Sequence, residues 1–324
     1  MTQNNIPVSL KVGTVLRNTF ALCRSHLKSY LGITFRSLLW SSAIFLIFIV
    51  GMGLIGLLSA VLISMFGEGS SPNPLLGLLI FILIIGLIIG LFYGSFFCTG
   101  KSAMNLALIS RLAYHELANK PELVHTARQQ ISSRHWEFFK TQLLVNLLLF
   151  GINLGLQIAQ SFVLIPAQLI FGQESVIAAI IALLVLLAST ILYLWFLAHW
   201  FIPEVPLAVE NNLTSTLAIE RSWNLSKQNV WQIWLIIFVA GLITIPLYLI
   251  IFGLAVLPAI PSILVMIQSE DWSTLENSIS LLSSVISAYF LAIFLSVIVG
   301  FFITPFWQTM KGVIYYLLRS PVDR

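Results

Sequence analysis

The sequence predicts an all-α protein of the membrane class: a polytopic transmembrane helical bundle of about six spans in three hairpins, with interfacial amphipathic helices. Composition is the first observation behind this. Of 324 residues, 59% are hydrophobic and only 9% are charged, against roughly 25% charged in a soluble domain, and mean hydropathy is +0.99. Apolar run length is the second. Several runs reach the roughly 20 residues that a helix rising 1.5 Å per residue needs to cross a hydrocarbon layer about 30 Å thick. The third is charge placement, because Lys and Arg fall only in alternate connections between those runs.

Six apolar segments define the spans: Leu38 to Phe66, Leu75 to Cys98, Leu143 to Ile165, Val176 to Ile202, Ile233 to Leu257 and Leu281 to Phe306. Gly67 to Pro74, rich in Gly, Ser and Pro, reads as the turn of the first hairpin, and the stretch around Gly172 to Ser175 as that of the second. After the fifth span, Pro258 and Pro261 should end or kink the helix. Ser262 to Ile267 is too short to cross again and reads as a re-entrant or interfacial turn.

Every Lys and Arg lies in the N-terminal segment, the linker from Lys101 to Lys140, the Arg221 to Lys227 segment or the C-terminal tail. The opposite connections carry only acids: Glu68, Glu174, Glu270, Asp271 and Glu276. By the positive-inside rule, both termini are expected in the cytoplasm, with an even number of crossings of a bacterial inner, or other internal, membrane. The polar opening from Met1 to Leu10 has no short apolar core with a cleavage site, so no cleaved signal peptide is expected. The sequence pI is about 9.1, but the basic residues hug the ends of spans. They predict anionic headgroups at the cytoplasmic face as partners, and not nucleic acid.

The chain reads as a single membrane domain, residues 1–324, with approximate internal repeats at 1–103, 104–208 and 209–324. Each hairpin is preceded by an amphipathic segment rich in Arg, Lys, His and aromatics. Leu16, Phe20, Leu22, Arg24, His26 and Leu27 match Ile219, Trp223, Leu225, Lys227, Asn229 and Val230 at one constant offset. The middle segment, roughly Met104 to Lys140, carries Arg128, Arg134, His135 and Trp136 before the third span. Such segments are expected to lie at the headgroups, with docking of a membrane or cytoplasmic protein partner as the alternative.

Gln142, Asn146, Asn153, Gln157 and Gln160 in the third span fall within about 60° of one another at 100° per residue. Amides in hydrocarbon need partners, so interhelical hydrogen bonding is the expected role. A ligand-lined or water-filled cavity and a face toward another subunit are the alternatives. Gly151 and Gly155 on the other side, and Gly86, Gly90 and Gly94 in the second span, have the four-residue spacing that lets helices approach closely.

No phosphate loop, nucleophile elbow or His-Glu-x-x-His occurs, and no charged residue sits in the middle of a span. Cys23 and Cys98 form neither a disulfide scaffold nor a metal spacing. His199, Glu204 and Glu210 do not match a metal motif either, and Glu210 is expected to pair with a nearby Arg or backbone donor. Catalytic residues, cofactors and metals are accordingly not expected. A non-enzymatic scaffold, anchor or accessory membrane subunit is the leading expectation. A transporter or lipid-handling protein using a polar cavity beside the third span is the alternative, and an intramembrane enzyme comes third.

The stretch Pro203-Glu-Val-Pro-Leu-Ala-Val-Glu210, with Pro206 inside it, and then Ala218-Ile-Glu-Arg-Ser-Trp-Asn-Leu225, containing Arg221, Ser222 and Trp223, resembles the membrane domain of glycerophosphoryl diester phosphodiesterases and its stand-alone bacterial relatives. The tail Val313-Ile-Tyr-Tyr-Leu-Leu-Arg319, with Tyr315, Tyr316 and Arg319, looks like their ending, although Leu317 stands where that family often has an acid. The opening Val15-Leu-Arg-Asn-Thr-Phe-Ala-Leu-Cys-Arg-Ser-His26 is similar to theirs. The resemblance implies a membrane domain without the soluble barrel that carries phosphodiesterase activity in that family.

Overall fold

The structure is a computed structural model that describes residues 10–65, 74–172, 175–261, 264 and 275–319. It is built of helices: α1 (Val12–Met65), α2 (Pro74–Leu117), α3 (Val124–Ser132), α4 (His135–Phe171), α5 (Val176–His199), α6 (Glu204–Val209), α7 (Ser215–Ser226), α8 (Val230–Val256) and α9 (Leu275–Arg319). No strand occurs among the described residues. Among the described residues, six helical segments are long and apolar enough to cross a membrane, namely α1, α2, α4, α5 running on into α6, α8 and α9. The chain is therefore a multi-pass helical membrane protein. Most of the expected first hairpin turn and of the re-entrant turn, together with Glu174, Glu270 and Asp271, lie outside the described residues, while Pro74 opens α2.

Local chemistry explains the helix ends. Ser175 caps α5 by accepting a hydrogen bond from the Ile177 backbone N–H at 3.3 Å. α5 stops at His199, short of the expected Ile202, and Pro203 opens α6 after a turn. Pro258 lies in a 3₁₀ turn, Leu257–Ala259, that ends α8, as its missing donor requires. Across the bundle, the N-terminus of α7 is held by Glu137, whose Oε2 accepts from the Ser215 N–H at 2.9 Å.

α1, α2 and α9 have 54, 44 and 45 residues. At 1.5 Å per residue each runs to about 65–80 Å, well over twice the hydrocarbon thickness. Their surplus gathers at the end of the bundle that carries the basic residues. There the three meet one another and form a collar with α3, α6 and α7. Tyr30, Leu108, Ile131, Phe138 and Leu207 make one buried cluster, and Ile202, Ile233, Met310 and Tyr315 belong to another. The amphipathic segments turn their apolar faces into these clusters: Val15 and Leu22 of α1, Ala127 and Ile131 of α3, Ala218 and Leu225 of α7 are buried.

The membrane-depth portions instead expose Leu, Ile and Phe around most of their circumference. Lipid tails are as apolar as these side chains, so the hydrophobic effect does not drive the helices together there. Each of the three amphipathic segments carries a similar backbone break, with buried collar residues following it. His26 inside α1 has φ −115° and ψ 18°, Arg134 before α4 has −101° and 16°, and Asn229 before α8 has −125° and 21°. All three stand near the sparsely populated bridge region of the backbone map.

The glycine expectation needs correction. A methyl group added at Gly86, Gly90, Gly151 or Gly155 would meet nothing within 4 Å, and only Gly94 has a neighbour, Ile47 Cδ1 at 3.3 Å. Gly86 and Gly90 line an open apolar cleft of about 690 Å³ between α1 and α2, with Val50, Leu54, Leu83 and Leu87. Close approach falls at Gly100, where an added Cβ would stand 2.6 Å from the His135 carbonyl oxygen, at Gly312 against the Ser110 carbonyl, and at Gly51 against the Leu91 side chain. Gly51 belongs to the first span's glycine row (Gly51, Gly53 and Gly56) and was expected to pack closely. Spacing alone selects a helix face without saying what lies opposite.

Candidate functional site

The basic end of α4 stands beside α2, α6 and α9, and the gap between them is a cavity of about 220 Å³. That is about seven times the volume of one water in the liquid. Ala103, Leu106, Phe138 and Val145 form its apolar wall. Gln142, Asn146, Glu204, Gln308 and Lys311 supply its polar groups, with Trp200 and Phe201 beside them. Lys311 and Glu204 make an ion pair, and the Lys311 ammonium also sits 5.1 Å from the centre of the Phe201 ring. Gln308 is fixed from behind, because Ser110 Oγ donates to its backbone carbonyl at 2.7 Å and lies 3.1 Å from its Oε1. The two charges cancel, so the cavity offers amides and a neutralised ion pair without net charge.

Gln142 and Asn146 are exposed at the mouth of this cavity, and the amide stripe continues from them along α4. Asn153 and Gln157 are exposed, and Gln160 is half-buried. Gln157 Nε2 donates to Asn153 Oδ1 at 2.7 Å, a bond within one helix. Among the described residues Gln142, Asn146 and Gln160 have no hydrogen-bond partner. The expected interhelical bonding is therefore absent within the described chain. The packed face of α4 is formed by Phe138, Thr141, Val145 and Ala167, and the stripe flanks it on the outside of the bundle.

The motif residues meet at a second place, in the collar. Glu210 follows α6 and accepts a hydrogen bond from the Tyr315 hydroxyl. It pairs with Arg221 Nε at 3.5 Å and with Arg319 Nη1 at 3.8 Å. Pro206 is buried within α6, and Tyr316 stands 5.9 Å from the Tyr114 ring. Ser222 Oγ donates to the His199 carbonyl at 2.8 Å, and Trp223 stacks on the His199 ring at 3.8 Å. His199 Nδ1 and Ser226 Oγ are 2.8 Å apart, but both residues are buried beneath these contacts, as a structural bond requires.

Arg111 and Arg134 organise the collar and drew no attention in the sequence as its anchors. Arg111, 4% exposed, bonds both oxygens of Glu122 at 2.8 and 2.9 Å, donates to the Ala208 carbonyl at 2.6 Å and also reaches Gln130. Burial raises the Glu122 pKa, but the hydrogen bonds and charge of Arg111 outweigh it and hold the carboxyl below its ordinary value. Arg134 donates to the carbonyls of Leu207 and Glu210 at 3.0 Å each and to that of Leu213. Burial, together with Arg111 nearby, lowers its own pKa against the opposing pull of Glu137. Lys311 was equally inconspicuous, since it reads as an ordinary charge at the end of a span, and Glu204 stood out only as a candidate metal ligand.

No group of three His, Cys, Asp or Glu gathers among the described residues in a way that could hold a metal. Comparisons with protein-family models, curated proteins and solved structures each return no match.

Proposed function

We propose that this chain is a lipid-handling membrane protein that takes the polar head of a phospholipid beside α4. The observation that carries this reading is the cavity at the basic end of α4, polar, part-enclosed and opening at the exposed Gln142 and Asn146. A head with balanced charges fits it best. Its phosphate can share Lys311, its ammonium can share Glu204, and the amides of Gln142, Asn146 and Gln308 can bond either (all three lining the same space). An acyl chain from such a lipid would lie against the exposed apolar surface of the spans.

The basic end faces the cytoplasm in this reading, by the positive-inside rule, so the head binds at the inner leaflet of a bacterial membrane. Three like units in one orientation make up the chain, and the shared backbone break at His26, Arg134 and Asn229 supports that organisation. The likeness to the membrane domain of glycerophosphoryl diester phosphodiesterases belongs to the same proposal. Among the residues that carry it, Arg221, Tyr315 and Arg319 surround the Glu210 carboxylate. The scaffold reading is supported by the collar, whose buried clusters would form a firm platform.

Retention of lipid tests the proposal. Native mass spectrometry of the protein in mild detergent should show one phospholipid held through activation that strips the others. Asn146→Trp fills the mouth of the cavity and should abolish that retention. Equal retention by wild type and variant would remove the cavity from the function.

A further inference from the structure

We infer that the amide row on α4 extends the cavity into a path along which phospholipid heads pass between the two leaflets. The inference rests on the lipid-handling reading and adds movement to binding. Gln142 and Asn146 belong to both the cavity and the row. From Gln142 to Gln160 the row climbs about 27 Å at 1.5 Å per residue, close to the full hydrocarbon thickness of about 30 Å. A row that only joined helices within the bundle would face inward, whereas four of its five members are exposed. Its longest step, from Asn146 to Asn153, is about 10 Å.

The chemistry suits passage. A polar head crossing hydrocarbon loses its hydration, and each unmatched polar group costs several kcal/mol. Amides both donate and accept, so they can replace that water for phosphate and ammonium alike. Because none of the five is charged, no step binds the head so firmly that it cannot leave, a condition shared by pores that conduct. The tails stay in the bilayer throughout, since the row lies on the outside of the described bundle.

The experiment uses the whole protein reconstituted into vesicles of phosphatidylcholine and phosphatidylglycerol with a trace of phosphatidylcholine bearing a fluorophore on its acyl chain. A membrane-impermeant reductant added outside destroys only outer-leaflet fluorescence. With wild-type protein nearly all the signal should be lost, whereas protein-free vesicles keep the inner-leaflet half. Asn153→Leu with Gln157→Leu should slow the second phase about tenfold, which is about 1.36 kcal/mol of barrier. Leu184→Ala, at an exposed apolar position of α5, should leave the rate unchanged. A cooperative thermal transition like that of wild type shows that the double variant is folded.

Wild-type vesicles that keep half the signal overturn the path. If native mass spectrometry still finds the retained phospholipid, the binding proposal survives that result. If the lipid is absent too, both fall. A double variant as fast as wild type overturns the path even when wild type moves lipid. Asn153→Cys in a Cys23→Ala, Cys98→Ala background gives a further arm: cross-linking of two copies in vesicles that move no lipid would make the row a contact between copies.

Discussion

Arg111 is the side chain whose removal should cost most. It is buried, it grips both oxygens of Glu122, and it satisfies the Ala208 carbonyl. Arg111→Met should lower stability by about 3 kcal/mol, because a charge that loses its partner keeps its desolvation cost. Thermal melting in detergent checks this, and adding Glu122→Leu should recover part of the loss. The same pair sets an acid limit. Glu122 has a folded pKa below its unfolded value, so its contribution is complete above about pH 4.3 and disappears as pH falls through the lower, folded value. Stability measured across acid pH should decline less steeply in Glu122→Gln than in wild type. The pairing of Glu210 with an arginine was legible in the sequence, but its partners were not. Arg221 and Arg319 come from α7 and α9, and only the folded collar brings them to one carboxylate.

At the scale of elements, contact between helices is decided by what lies opposite a residue and not by its spacing. Gly312 of α9 meets the Ser110 carbonyl of α2 beside the bond from Ser110 Oγ to the Gln308 carbonyl. Gly312→Leu should cost about 1–3 kcal/mol or more by forcing these helices apart. Gly90→Leu should cost little, since its side chain would enter the cleft between α1 and α2. Melting temperatures of the two variants decide the matter, and equal shifts would contradict this packing. Hydropathy made the six spanning helices legible, because an apolar run of sufficient length has one stable solution in lipid, but not how far α1, α2 and α9 run on beyond their apolar segments. The collar was hidden. An amphipathic segment announces that one face is buried, yet lipid headgroups and a neighbouring helix bury it equally well. Helical periodicity likewise placed the amides of α4 on one stripe while leaving open which way the stripe points.

At the scale of the whole molecule, the protein divides along the membrane normal. One end is a collar packed like a soluble core, and the remainder is a set of spans that leave their sides to lipid. Reporter fusions at Lys120 and at the C-terminus should read cytoplasmic, and a fusion at Gly172 should read external; reversal of these signals would invert the proposed orientation. The amides of the third span made a polar cavity beside it one of the expected alternatives, and Glu204 and Lys311 show why its charged wall was hidden. They lie 107 residues apart and on different helices, and they meet only because α9 runs past the α5–α6 turn. Lipid handling of the proposed kind needs the cavity beside α4, and the row that leads from it, to be polar space reached from water. Single Gln142→Cys, Asn146→Cys, Asn153→Cys and Gln157→Cys variants, made without Cys23 and Cys98 and placed in bilayers, test it with a small water-soluble thiol reagent. Modification is expected at all four, falling in rate from 142 toward mid-depth, with an Ile180→Cys control on α5 unreactive. Complete protection of all four in folded protein would contradict it.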